Sequence, residues 1–230
     1  MNSETIPILC LRLLDIPLTE EADLRKLLLV GAKDLARKHQ ARFEQQGLSI
    51  DLFHNEQVVY SAIQLGRYQQ APEWTAMGDK ACRALLLWYE IFRTQTVQPL
   101  RNTVEIREGY TPEFLEYPKR YKVGSLLISD ELAGELNKMS NKFARQDRLE
   151  RYLYGNLQTF FSFIGFSYDK AHDFLKVTVE EADLHNRSHR VYQGQKKTAL
   201  KLRFTCNFRL PQHLRLGQST SLGYGKVIHW

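Results

Sequence analysis

The sequence predicts an α+β protein in which helices cover one face of mainly antiparallel sheets, organised as two halves of similar size, residues 1–120 and 121–230. Two observations carry this. Apolar segments of strand character and longer stretches of helical spacing run as strand, helix, strands, helix, strands in the first half, and the second half returns to helix and then sheet. No Pro/Gly/Ser linker, low-complexity tract or repeat of clear period separates the halves, so they are expected to pack closely.

Residues 6–14 read as a buried strand with Pro7 near its start, where a missing N–H donor is tolerated, and Pro17 ends it. Thr19, Glu20 and Glu21 open a helix over about residues 20–44, with Leu24, Leu27, Leu28, Gly31 and Leu35 at helical spacing and Gly47 closing it. Residues 48–53 and 57–65 read as two strands of a hairpin, which places His54 at its turn. Gly78 and Asp79 precede an apolar helix over residues 81–92, in which Ala84, Leu85, Trp88, Tyr89 and Phe92 share a face. Strands follow over residues 100–108 and 114–128, the second interrupted by Pro118. Asp130 is placed to cap a helical stretch reaching residue 166, interrupted near 139–145, whose Leu149, Leu153, Leu157, Phe160 and Phe161 form a core stripe. Strands over residues 175–179 and 198–210 complete the second half, with a strand end and turn over 191–195 between them.

Composition narrows the function classes. Of 230 residues, 43% are hydrophobic and 25% charged, as in an ordinary soluble globular protein, and 32 Lys+Arg against 26 Asp+Glu give a net charge of +6, which favours polyanionic partners. Cys10, Cys82 and Cys206 are widely separated and lack CxxC spacing, which argues against a disulfide framework or zinc site and fits a reducing cytoplasm. No apolar run approaches 18 residues, so neither a signal peptide nor a membrane span is expected. His185 and His189 have the spacing of helical metal ligands, but their neighbours offer no third ligand, and no metal or other cofactor is expected.

The most distinctive stretch is residues 214–227, LRLGQSTSLGYGKV. Gly217, Gly223 and Gly225, interleaved with Ser219, Thr220 and Ser221, can reach φ > 0 and present N–H and hydroxyl groups to an anion. A nucleotide-triphosphate P-loop is excluded: five residues separate Gly217 from the next glycine, Val227 follows Lys226 where Ser or Thr is required, and too few residues remain for the helix. A glycine-rich hairpin or bulge before a last strand explains the same residues equally well.

This stretch resembles the C-terminal signature of the Cas six family of CRISPR repeat-processing endoribonucleases, in which a loop like residues 217–225 precedes the terminal strand. Residues 52–55 (LFHN), 60–64 (YSAIQ), 154–157 (YGNL) and 207–211 (NFRLP) are similar to the same family in the same order. The resemblance implies a pair of ferredoxin-like, RNA-recognition-type βαββαβ folds that cut precursor CRISPR RNA within its repeats without metal. It implies repeat RNA as the partner, with effector-complex subunits as further partners, and leaves both a monomer and a homodimer open. Two positions depart from the family pattern: Gln218 stands where a lysine often follows the first glycine, and Glu56 stands where a second histidine is found.

Metal-free RNA cleavage needs a base for the 2′-OH, an acid for the departing 5′-oxygen and cations for the phosphorane. His54 is the leading base, because the resemblance places the family's histidine there and imidazole titrates near working pH. His39 is the alternative, although the end of a helix attracts histidine for dipole reasons, and Tyr60 is close enough in sequence to line the same cleft. RNA contacts are expected from Gly217, Gln218, Ser219, Ser221, Gly223, Tyr224 and Gly225, with Lys196, Lys197 and Arg148 countering phosphate. A solvated hairpin or helix face accounts for those cations too. Two other functions stay open: a non-cleaving RNA-binding subunit of a CRISPR effector complex, and a basic α+β protein-interaction module.

Overall fold

The computed structural model describes residues 4–16, 23–53, 60–95, 101–167, 174–192, 195–218, 220 and 224–230, with side chains described except within 23–29, 184–192 and 195–196. The chain divides into two compact units, Glu4–Thr111 and Pro112–Thr220 with Tyr224–Trp230.

The first unit runs β1 (Ile6–Leu13), α1 (Asp23–Lys38), α2 (Gln40–Gln45), a 3₁₀ turn (Ile50–Leu52), β2 (Ile63–Tyr68), β3 (Ala71–Met77), α3 (Asp79–Gln95) and β4 (Thr103–Tyr110). Its antiparallel sheet has the order β2-β3-β1-β4. Leu9 and Leu11 lie opposite Ala76 and Trp74, and Trp74 meets Trp88 of α3 at 5.0 Å between ring centres. This aromatic core continues through Phe92, stacked on Trp88, to Phe53 and Phe43. Three expectations change. The first helix is not continuous to residue 44, because it breaks at His39, which caps α2 with φ −114°. Residues 48–53 form no strand; Ser49 instead accepts a hydrogen bond from Asp51 N and caps the 3₁₀ turn. The hairpin lies at β2–β3 around Gln69 (φ 54°), whereas the expected turn at His54 lies outside the described residues. Residues 71–77 do not read as a strand in sequence because Pro72 and Glu73 break the apolar alternation of β3; Pro72 sits near the strand start, opposite Arg67.

The second unit runs β5 (Phe114–Ile128), α4 (Asp130–Lys138), α5 (Lys142–Phe163), β6 (Val177–Tyr192), β7 (Gln195–Phe208) and β8 (Val227–His229). Its sheet order is β6-β7-β5-β8. Counted within each unit, both sheets read second, third, first, fourth strand, so the two units are tandem ferredoxin-like folds. The second departs from the first at one place: among the described residues, no helix joins its third and fourth strands, and the glycine-rich stretch stands there instead. Leu149, Leu153, Leu157, Phe160 and Phe161 of α5 are buried with Tyr121, Leu202, Phe204 and Phe208 of the sheet. Ser129, not Asp130, caps α4, its hydroxyl accepting from Leu132 N, and Asn141 caps α5. β5 and β7 slip register between Phe114 and Lys119, where Pro118 interrupts the ladder. His185 and His189 belong to β6, where four residues span about 13 Å, so their helical ligand spacing has no helix to act on.

Candidate nucleic-acid interface

The glycine loop is built on a short ladder. Leu216 N donates to Gly225 O at 2.9 Å and Val227 N to Leu214 O at 2.8 Å, with Arg215 bridged to Lys226 between them. The loop leaves this ladder at Gly217 and returns at Gly225, both with positive φ (88° and 73°). A Cβ at Gly217 would lie 2.7 Å from Leu127 O, and one at Gly225 only 1.7 Å from Leu216 O. Glycine is therefore required at both ends by backbone approach, whatever the loop binds.

Three anchors fix the loop to the unit. Gly225 N donates to Ser125 O at 2.8 Å, Gln218 N donates to Leu127 O at 3.0 Å, and Gly217 N donates to the Asn156 side-chain oxygen at 2.8 Å. Asn156 is in turn oriented by its Nδ2, which donates to Tyr152 O on the preceding turn of α5. The N–H groups of Gly217, Gln218 and Gly225 are thus engaged inside the protein. An anion would have to be met by the Gln218 side chain, which is exposed, and by the segment between the two glycines; Tyr224 and Thr220 are buried, and Ser219, Ser221 and Gly223 lie outside the described residues.

The other candidates are spread over both units. In the first, His39 is half-buried and its Nε2 lies 2.7 Å from Gln95 Nε2 at the end of α3, a contact that ties α2 to that helix. Tyr60 is 6% exposed, just ahead of β2, and His54 lies outside the described residues. In the second, Arg148 donates to Glu135 at 2.6 Å and joins α5 to α4, while Lys197 donates to Asp130 at 3.2 Å. The backbone of Lys196 belongs to β7.

Two residues with structural work at this site carried no role in the sequence reading. Asn156 was part of a familiar stretch, and a polar side chain between Leu153 and Leu157 on an apolar helix face is the signal that could have marked it as an anchor. His229 packs edge-on against Tyr121 with ring centres 5.0 Å apart, and its Nε2 lies 3.0 Å from Leu210 O. Tyr121 OH in turn donates to Phe208 O and accepts from Leu210 N, so this pair holds the chain where it leaves β7 for the loop. Burial pushes the Tyr121 hydroxyl above its ordinary pKa and drives Cys206 up to about 12, so both stay protonated in this core.

A tandem ferredoxin-like protein whose second unit, among the described residues, carries an anchored glycine loop where the first has its last helix is the class this architecture defines. The family model described as the Cas6b C-terminal domain matches residues 113–230, and the chain belongs to that family. No curated protein is recognisably similar to it in sequence. Among solved structures, a crystal structure of Cas6b aligns with a TM-score of 0.71 at 16% identity, covering 99% of this chain and 100% of that one. A second, described as the CRISPR RNA processing endoribonuclease Cas6b, aligns with a TM-score of 0.68 at 16% identity and the same coverage. A third, Csf5, a type IV Cas6 crRNA endonuclease, reaches 0.56 at 15% identity over 99% of this chain and 100% of that one.

Proposed function

We propose that this protein is an endoribonuclease that binds CRISPR repeat RNA and cuts precursor transcripts into guide RNAs without a metal ion. What supports the reading most is that the family match covers the whole unit carrying the anchored glycine loop, with Asn156 of the resembling YGNL stretch holding Gly217. Net charge of +6 suits a polyanionic partner.

In the proposed reaction a base removes the proton of the ribose 2′-OH, and the 2′-oxygen attacks the adjacent phosphorus. The bond from phosphorus to the 5′-oxygen breaks as an acid protonates that oxygen, leaving a 2′,3′-cyclic phosphate and a 5′-hydroxyl. His54 is proposed as the base, with Tyr60 beside it and His39 as the alternative. Gln218, Ser219, Ser221 and Gly223 are proposed to meet phosphates, assisted by Lys196, Lys197 and Arg148. The last two would first have to leave Asp130 and Glu135, pairs that are only partly exposed. Incubation with transcripts of CRISPR repeats in EDTA tests this: the reading requires one cut per repeat and a cyclic-phosphate end. RNA that is bound but intact would instead make the protein a non-cleaving subunit.

A further inference from the structure

The outer face of the second sheet, opposite the helices, carries a hollow that the loop does not explain. A cavity of about 250 Å³ opens over Gly124, with Lys122, Asp183, Lys201, Arg203 and Ile228 around it. The register shows how it is made. Glu181, Arg203, Lys122 and Ile228 form one row across β6, β7, β5 and β8, and Asp183 faces Lys201 in the row beyond. Gly124 follows next along β5, in the bulge where β5 and β7 lose register between Val123 and Leu126. Its backbone has no positive φ, and a Cβ there would meet nothing within 4 Å, so neither strain nor crowding demands glycine. What its missing side chain leaves is room for something else to approach the sheet.

The lining is mixed in charge, and Trp230 lies beyond it, past Arg203. Trp230 is 53% exposed, and Arg203 lies over its ring, 4.2 Å from the centroid, while its Nη1 donates to Glu181 at 2.8 Å. Arg120 lies 5.8 Å from the same ring and donates to Glu180 at 3.1 Å. The acids offset the cations, so a phosphate is poorly matched here. A flat heteroaromatic ring that offers both donors and acceptors suits such a lining better, since it can lie against the Arg203 guanidinium and meet the paired charges at its edge. Guanine presents two adjacent donors, N1–H and N2–H, beside the acceptor O6, which matches a carboxylate next to an ammonium, as Asp183 stands beside Lys201.

We propose that this hollow takes one unpaired base, with guanine preferred, from a single-stranded segment of bound RNA. The proposal rests on the RNA-binding reading above and adds a base-reading site to it. The test is fluorescence anisotropy with the labelled pentamers UUGUU, UUAUU, UUCUU and UUUUU, alongside repeat cleavage. UUGUU should bind tightest, Gly124→Leu should weaken it about tenfold, the order of one lost stacked base, and Asp183→Asn should abolish the preference for guanine while the protein still cuts. Because a Cβ added at Gly124 enters open space, the Gly124→Leu variant should keep the wild-type circular dichroism and Tm; if it does not, Asp183→Asn alone decides. Pentamer affinities unchanged in both variants overturn the proposal, and if wild type meanwhile cuts repeat RNA, the endoribonuclease reading stands without it. Loss of a protein partner by Gly124→Leu, with RNA binding untouched, also overturns it and makes the face a protein surface.

Discussion

Gly225 faces Leu216 O so closely that no side chain fits, and its φ of 73° is one that L-residues rarely adopt. Gly225→Ala combines that strain with a backbone shift, together about 2 kcal/mol or more. In a chain of this size the expected drop in Tm is about 4–8 °C by calorimetry, and an unchanged Tm would mean the loop reaches its ladder in another way. Asp15 makes a second localised prediction. Its carboxylate accepts from Asn102 N at 2.8 Å, Asn102 Nδ2 at 2.8 Å and Arg101 N at 2.7 Å, fastening the start of β4 to the end of β1. These bonds, those of Asn102 foremost, hold its pKa below the ordinary aspartate value. A depressed pKa contributes stability that is present above about pH 4 and lost as pH falls through the folded value. Asp15→Ala should therefore lower Tm at pH 7, and the gap to wild type should close on acidification below about pH 4; a gap that persists there would assign the effect to packing.

The elements show which parts of the fold the residues disclose. Strands β1, β4, β5 and β7 and helices α3 and α5 are legible because apolar residues recur along them at strand or helix spacing, with Pro118 as the one break in β5. Where the structure departs, a local polar contact decides: His39 and Gln95 mark the break between α1 and α2, Ser49 turns residues 50–52 into a 3₁₀ turn, and Ser129 takes the cap expected of Asp130. The period alone carries no information about such contacts. The loop was legible as glycine-rich, but not that Gly217 and Gly225 answer to backbone crowding rather than to a ligand, since the atoms they approach, Leu127 O and Leu216 O, are ordinary in sequence. Asn156 joins α5 to this loop, and Asn156→Leu would leave Gly217 N without its acceptor at a cost of about 1–3 kcal/mol. Repeat-RNA affinity should fall with it, while Asn156→Asp, which keeps an acceptor, should retain most of the stability. Equal losses in the two variants would show that the hydrogen bond is not what holds the loop.

At the scale of the whole molecule, two ferredoxin-like units of the same strand order and a single substituted connection define the architecture, and the proposed chemistry needs both. The candidate base His54 belongs to the first unit's sequence, whereas Gly217 and Gly225, which bound the glycine loop, belong to the second. His54→Ala should slow single-turnover cleavage of repeat RNA by about 10²- to 10⁴-fold with little change in affinity, and His39→Ala far less. The reverse ranking would move the base to His39 and leave the reaction class intact. The reaction class itself turns on one oxygen. Repeat RNA carrying a single 2′-deoxy nucleotide immediately upstream of the cut, incubated with the protein in EDTA, should bind as tightly as the all-ribose RNA and remain uncut; cleavage of that substrate at the same bond would contradict attack by the 2′-OH.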